Sequence, residues 1–310
     1  MLDSEAKKFL ERIERYKPKP LADMTPDEAR QYVAGQSKLS HKKSSSALHV
    51  SDVVLTHHPK EIFDSEIRTP LRFYRPEGLK ENPPLILYFH GGGFVTGDLN
   101  YSDQLCQILA EQLKMLVVSV EYRLAPEHSF PVPVHEGESI LKTLLQHPNE
   151  YRFNTQKVIL MGDSAGANIA AVVTNLMRAS IWKQILLYPS LDFSKEYESM
   201  RLFAEGYFLT KANLDWGHRH YIQNPHDKKN PIASPILDKK LAGLPETLIV
   251  TAEYDPLRDE GRVYAEHLIE QGNEVTYFEF PGVIHCFATM IDFFPTASKK
   301  LMTKILQFVL

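Results

Sequence analysis

Between residues 85 and 188, four short apolar runs recur at intervals that leave room for a helix: LILYF at 85–89, LVVSV at 116–120, KVILM at 157–161 and QILLY at 184–188. Helix-length segments lie between them, near 101–112, near 134–145 and from Ala165 onward. Apolar runs this short, alternating with helical segments, predict a mostly parallel sheet covered by helices on both faces. Such sheets bind ligands outside the carboxyl ends of their strands, so chemistry is sought there.

The same rhythm extends in both directions. "HVSDVVLT" and "TPLRFYRP" predict two earlier strands. "ETLIVTAEYDP", a helix over 257–271, "EVTYFEF" and a helix near 297–309 predict the end of the sheet. Residues 1–48 read differently, as a helix over 3–16, a turn near 18–20 and a second helix starting at Pro26, where a proline is followed by acids. "GQSKLSHKKSSSA", at 35–47, predicts a flexible polar connector. From 190 to 235 the strand rhythm is lost for about 45 residues, too long for an ordinary connection, and the helix-like, aromatic-rich stretch there predicts an inserted cap. The expected organisation is therefore a first cap piece at 1–48, a core at 49–189, an inserted cap segment at 190–235 and the rest of the core at 236–310.

Composition narrows the function classes. A chain of 310 residues, 43% hydrophobic and 24% charged, suits one elaborated α/β domain at least as well as two small ones. The formal charge of −4 gives no basic footprint for nucleic acid. No apolar run approaches the roughly 18 residues of a membrane span, so no stable membrane insertion is expected. "MLDSEAKKFLERIERYKPKP" is a charged amphipathic helix and not a secretory leader, which makes the cytoplasm the expected compartment. Cys106 and Cys286 stand far apart with no CxxC spacing, so neither a disulfide framework nor a thiolate metal site is indicated.

Two stretches carry chemistry. "HGGGF" follows the run at 85–89, and its three bare residues suit either a tight turn or close approach of the backbone to a ligand. A nucleotide loop is disfavoured, because no GxGxxG is present and no Lys-Ser/Thr pair follows. "KVILMGDSAGANIAA" then runs from a strand through Gly162-Asp163-Ser164-Ala165-Gly166 into a small-residue helix, the sharp turn that leaves a serine hydroxyl exposed as a nucleophile. A serine needs a base, and the base needs an orienting acid. Asp255 closes "LIVTAEYDP" and His285 follows "YFEFPGVIH", each just beyond a predicted strand and in the required order.

Competitors for these roles are weaker. Asp163 sits on the turn itself and is read as serving the turn or the cap interface; Asp259 and Glu260 lie a turn into a helix, and Asp292 follows His285 too closely. His57, His58, His218, His220 and His226 read as surface histidines. His218 and His220 are two apart, not the i,i+4 spacing of a helical ligand pair, so no metal site is expected. Arg123 and Glu127 are expected to pair across their turn, and the two cysteines to be ordinary buried thiols. Attack by Ser164 on a carbonyl builds negative charge on oxygen, which backbone N–H groups stabilise. The expected donors are Gly91, Gly92 and Ala165, with His90 and Gly93 supporting the loop.

Together these residues resemble the hormone-sensitive-lipase-like (family IV) carboxylesterase branch of the α/β-hydrolase superfamily. The shared marks are "HGGGF" at 90–94, "VEYRLAPEHSFP" at 120–131, "GDSAGAN" at 162–168, "EYDPLRDEG" at 253–261 and "GVIHCF" at 282–287. The resemblance implies a mostly parallel eight-stranded sheet with one antiparallel strand near its start and a helical cap. It matches the family's nucleophile, acid and base to Ser164, Asp255 and His285, and its oxyanion donors to Gly91, Gly92 and Ala165. Ala167 and Glu136 depart from the family's usual glycine and aspartate without removing a catalytic group.

The function so implied is cofactor-free hydrolysis of short- to medium-chain carboxylic esters through an acyl-enzyme. The alternatives are another acyl substrate, a lactone, amide or peptide, cleaved by the same triad, and a non-catalytic ligand-binding module, which the complete set of Ser164, Asp255 and His285 disfavours. The expected partner is a small ester, with homodimer formation left open. Phe94, Phe203, Tyr207, Phe208 and Trp216 are candidates for the acyl pocket wall.

Overall fold

The structure is a computed structural model that describes residues 1–40 and 47–310. Two helices come first, α1 (Ser4–Tyr16) and α2 (Pro26–Ser40). The sheet begins with β1 (Leu48–His57), β2 (Ile67–Pro76) and β3 (Leu85–Phe89), followed by α3 (Asp103–Leu113), β4 (Leu116–Val120), α4 (Val132–Gln146), the single turn α5 (Pro148–Tyr151), β5 (Val158–Asp163), α6 (Ala165–Met177) and β6 (Lys183–Leu187). Two helices interrupt it, α7 (Glu198–Leu202) and α8 (Lys211–Tyr221). The chain ends with β7 (Glu246–Tyr254), α9 (Arg258–Glu270), β8 (Val275–Ile284) and α10 (Pro295–Val309).

Eight strands form one sheet in the order β1-β2-β4-β3-β5-β6-β7-β8, with β2 antiparallel to both its neighbours and the rest running parallel from β4 to β8. This is the α/β-hydrolase architecture the resemblance implies, including its one reversed strand. The apolar runs explain the layers. Leu85, Leu87 and Phe89 of β3 face one core with α4, α6 and α9, whereas Ile86 and Tyr88 face a second core with α3, α10 and α1. Alternate side chains of a strand point to opposite faces, so a continuously apolar strand supplies both.

The cap region is helical and has two parts. α1 starts where the Asp3 carboxylate accepts the Ala6 N–H at 2.7 Å and stops at Lys17, which is left-handed. Its buried Phe9 ring meets Phe293, Phe294 and Phe208 at 5.0, 5.6 and 5.2 Å, a burial worth about 2–3 kcal/mol. α8 is capped by the Thr210 hydroxyl, which accepts the Asn213 N–H. Two expectations change here. The predicted connector at 35–47 begins late, because α2 continues through Ser40, and its middle, 41–46, lies outside the described residues. The aromatic stretch after Ser199 is not one helix: residues 203–210 form an irregular loop between α7 and α8. No helix among the described residues is long and apolar enough to cross a membrane.

Candidate active site

The strand ends converge on Ser164. β5 delivers the serine into a backbone conformation of φ 53° and ψ −118°, a strained geometry for an L-residue that the packing must enforce. α6 starts at once and presses on β3 so closely that a Cβ on Gly166 would lie 2.0 Å from Phe89 O. Ser164 Oγ is 3.0 Å from His285 Nε2, and His285 Nδ1 is 2.7 Å from Asp255 Oδ2. Asp255 also accepts the Leu257 N–H at 2.9 Å, which fixes its carboxylate just past the carboxyl end of β7. All three side chains are buried. With a carboxylate at Nδ1, that nitrogen carries the hydrogen and Nε2 is left to accept from the serine. Burial alone lowers the pKa of His285, but the Asp255 charge, the neighbouring Cys286 and the hydrogen bond to Asp255 outweigh it and hold the imidazole well above its ordinary value.

The glycine loop is anchored from the serine turn. Asp163 Oδ1 accepts the Gly91 N–H at 2.8 Å and the Tyr88 hydroxyl at 2.6 Å. The Gly91 amide is therefore engaged away from the site, which corrects its expected place among the oxyanion donors. Asp163 serves this loop and not the cap. Burial raises its pKa to about 6 against the lowering effect of Tyr88 and Gly91. Gly92 adopts φ +114°, and a Cβ there would lie 2.2 Å from Thr96 O, so only glycine fits. The N–H groups of Gly92, Gly93 and Ala165 have no acceptor among the described residues. His90 lies beneath the loop, donating from Nδ1 to Gly91 O at 2.7 Å and stacking on Tyr122, whose hydroxyl donates to His90 O. Burial pushes the His90 pKa down to about 4, so the ring is neutral.

The five aromatic candidates do not form one wall. Phe94 is buried and stacks on Tyr221 with ring centroids 3.7 Å apart. Trp216 donates its indole N–H to Met24 O at 3.1 Å, which ties α8 to the first cap piece. Phe203 and Tyr207 pack on Tyr254, with Arg258 over the Phe203 ring. Phe208 is exposed on one side and meets Phe9 on the other. Most of their area is engaged in holding cap to core.

Other expectations are also revised. His57 is not a surface residue: it is buried between the Ser139 and Thr69 hydroxyls at 3.0 and 2.9 Å, and its burial, with Arg123 nearby, pushes its pKa down to about 4. Arg123 pairs with the buried Glu136, while Glu127 pairs with Arg30 of α2. The residue the sequence left without its real role is Asp163. Its position beside the nucleophile on a fully buried strand was the available signal, since a carboxylate there must find donors.

A model of the family described as alpha/beta hydrolase fold matches residues 86–289. The chain belongs to the α/β-hydrolases. Within that superfamily it is a serine hydrolase closely related to the hormone-sensitive-lipase-like carboxylesterases. This hydrolase is 38% identical over 233 residues to the carboxylic ester hydrolase LipN of Mycobacterium tuberculosis, a match covering 72% of the chain and 62% of that protein. It is 32% identical over 280 residues to the ethyl acetate hydrolase of Pseudomonas putida, covering 87% of the chain and 86% of the relative. Among solved structures, an ester hydrolase from the metagenome of Lake Arreo superposes with a TM-score of 0.91 at 33% identity, covering 99% of this hydrolase and 98% of the other chain.

Proposed function

We propose that this hydrolase is a serine esterase cleaving small carboxylic esters, with residues 1–40 and 190–235 capping the strand ends. One observation carries the reading: Ser164, His285 and Asp255 form a single hydrogen-bonded line beside backbone N–H groups that have no acceptor among the described residues. His285 Nε2 takes the Ser164 proton as Oγ bonds to the ester carbonyl carbon. The carbonyl oxygen becomes an oxyanion held by the N–H groups of Gly92, Gly93 and Ala165. When the C–O bond to the alcohol breaks, Nε2 returns the proton to the departing oxygen and the acyl group stays on Ser164. Water then repeats the sequence and releases the acid. Asp255 fixes the tautomer and stabilises the imidazolium, and Asp163 is a positioning residue that aims the glycine loop.

The proton route also orients the substrate. The leaving alcohol must lie on the His285 side, so the acyl chain extends toward the opposite flank, under α8 and the glycine loop. Each methylene buried there contributes about 0.8 kcal/mol until the chain meets the wall, which favours acyl groups of about four to eight carbons. The test is kcat/KM across p-nitrophenyl esters from acetate to palmitate, with a p-nitroanilide and a lactone alongside. A maximum within the series, and slower amide and lactone turnover, fits this reading; preferred amide or lactone cleavage overturns it.

A further inference from the structure

α8 crosses the glycine loop as closely as its own glycine permits, since a Cβ on Gly217 would lie 3.0 Å from Gly93 O. His218 is the next residue on α8. The His218 ring meets Phe193 edge-on at 4.6 Å, and Phe193 in turn meets Phe94 at 6.0 Å. Phe193 follows shortly after Ser190, whose N–H donates to Ser164 O at 3.3 Å, so this aromatic group borders the nucleophile turn. The imidazole thus lies among the rings that adjoin the glycine loop, on the flank to which the proposed function assigns the acyl chain.

Three side chains before it on α8 have their hydrogen bonds made. Trp216 donates to Met24, Asn213 accepts from Ala22, and Lys211 is held by Asp215 and Glu196. The His218 imidazole makes no hydrogen bond among the described residues, and the residue is half-buried. Burial, with Lys228 and Lys211 adding to it against Asp215, lowers its pKa to about 4. The ring is neutral at working pH and offers one donor and one acceptor. Both ring nitrogens are thus available to a ligand group that donates and accepts.

We propose that His218 is a specificity-determining residue that hydrogen-bonds a hydroxyl on the acyl chain, so that this enzyme prefers esters of hydroxy acids to those of plain fatty acids. The proposal rests on the esterase reading above. A hydroxyl matches a neutral imidazole in both directions. A carboxylate does not, because an ionised carboxylate only accepts and leaves the ring's own acceptor unmatched.

The experiment compares p-nitrophenyl 3-hydroxybutyrate with p-nitrophenyl 3-methylbutyrate, which exchanges hydroxyl for methyl at one position. Each kcat/KM is divided by the ester's own rate of hydroxide hydrolysis. The wild-type enzyme should favour the hydroxy ester about tenfold, the value of one neutral hydrogen bond. H218F should reduce the ratio to about one, while H218Q, which keeps a donor and an acceptor, should retain most of it. A wild-type ratio near one overturns the proposal whether or not the variants fold, and so does a ratio that survives in folded H218F. A wild-type enzyme inactive on both esters overturns the esterase reading itself, and the proposal with it.

Discussion

The two flanks of the site are held in different ways. On the base flank, α1 and the loop at 203–210 lie on the ends of β7 and β8 through rings: Phe9 on Phe293 and Phe208, Phe203 and Tyr207 on Tyr254. On the oxyanion flank, α2 and α8 are joined to the loops by directed polar bonds. Arg30 donates to Val95 O at 2.9 Å, to Ala125 O at 2.8 Å and to both oxygens of Glu127. Non-directional packing tolerates small movements of the alcohol-side wall, whereas hydrogen bonds fix the loop whose amides must meet one oxygen. The side that needs position has directed bonds, and the side that needs cover has apolar contact.

The sharpest break lies where the flanks meet. S164A and H285A should each lower ester turnover by about 10⁴-fold or more with the fold intact, checked by kcat on p-nitrophenyl butyrate and circular dichroism. A folded S164A with most of its activity would sink the triad. The next effect belongs to the oxyanion flank alone: D163A should release Gly91 and lower kcat about 100-fold with little change in KM, as loss of an aimed donor does. If KM rises instead and kcat holds, Asp163 supports binding and not the transition state.

Smaller effects separate the two kinds of cap contact. F9A should destabilise the protein by about 3 kcal/mol, read as a lower denaturant midpoint. R30A should cost about 1 kcal/mol and raise KM a few-fold, because its ion pair is solvent-exposed and only its backbone bonds are sheltered. A larger stability loss in R30A than in F9A would reverse the comparison. The mildest perturbation is pH. His285 must be neutral to accept the serine proton, and its pKa is raised, so turnover should fall as pH drops through a midpoint above the ordinary imidazole value of about 6.5. Asp163, raised to about 6, adds a second loss below that pH as its carboxylate gains a proton and loosens its hold on Gly91. A rate maximum near pH 4 would contradict both signs.

Much of this was legible in the sequence because it is local. The runs at 85–89 and 116–120 coincide with β3 and β4, and Ser164, Asp255 and His285 each stand one residue past a strand, where a parallel sheet gathers its ends. What was illegible depends on partners far along the chain. Nothing near Gly91 tells that its amide meets Asp163, 72 residues on, so the sequence placed it among the oxyanion donors although it is already engaged. The aromatics were misassigned for the same reason: composition shows that Trp216 and Phe94 are apolar, but only packing shows Met24 and Tyr221 occupying them. His57 resembled a loop histidine until the register of β1 on β2 brought it beside Thr69.

The bond from Trp216 to Met24 has an optical consequence. The chain has two tryptophans, and the other, Trp182, sits between Lys157 and Lys183 at the amino ends of the strands, remote from the cap. W182F would leave a single intrinsic fluorophore, sheltered in the seam between the two cap pieces. Its emission should be blue while that seam is shut and shift to the red when water reaches the indole. The colour of the light would then follow the opening of the acyl flank in real time, with no added dye.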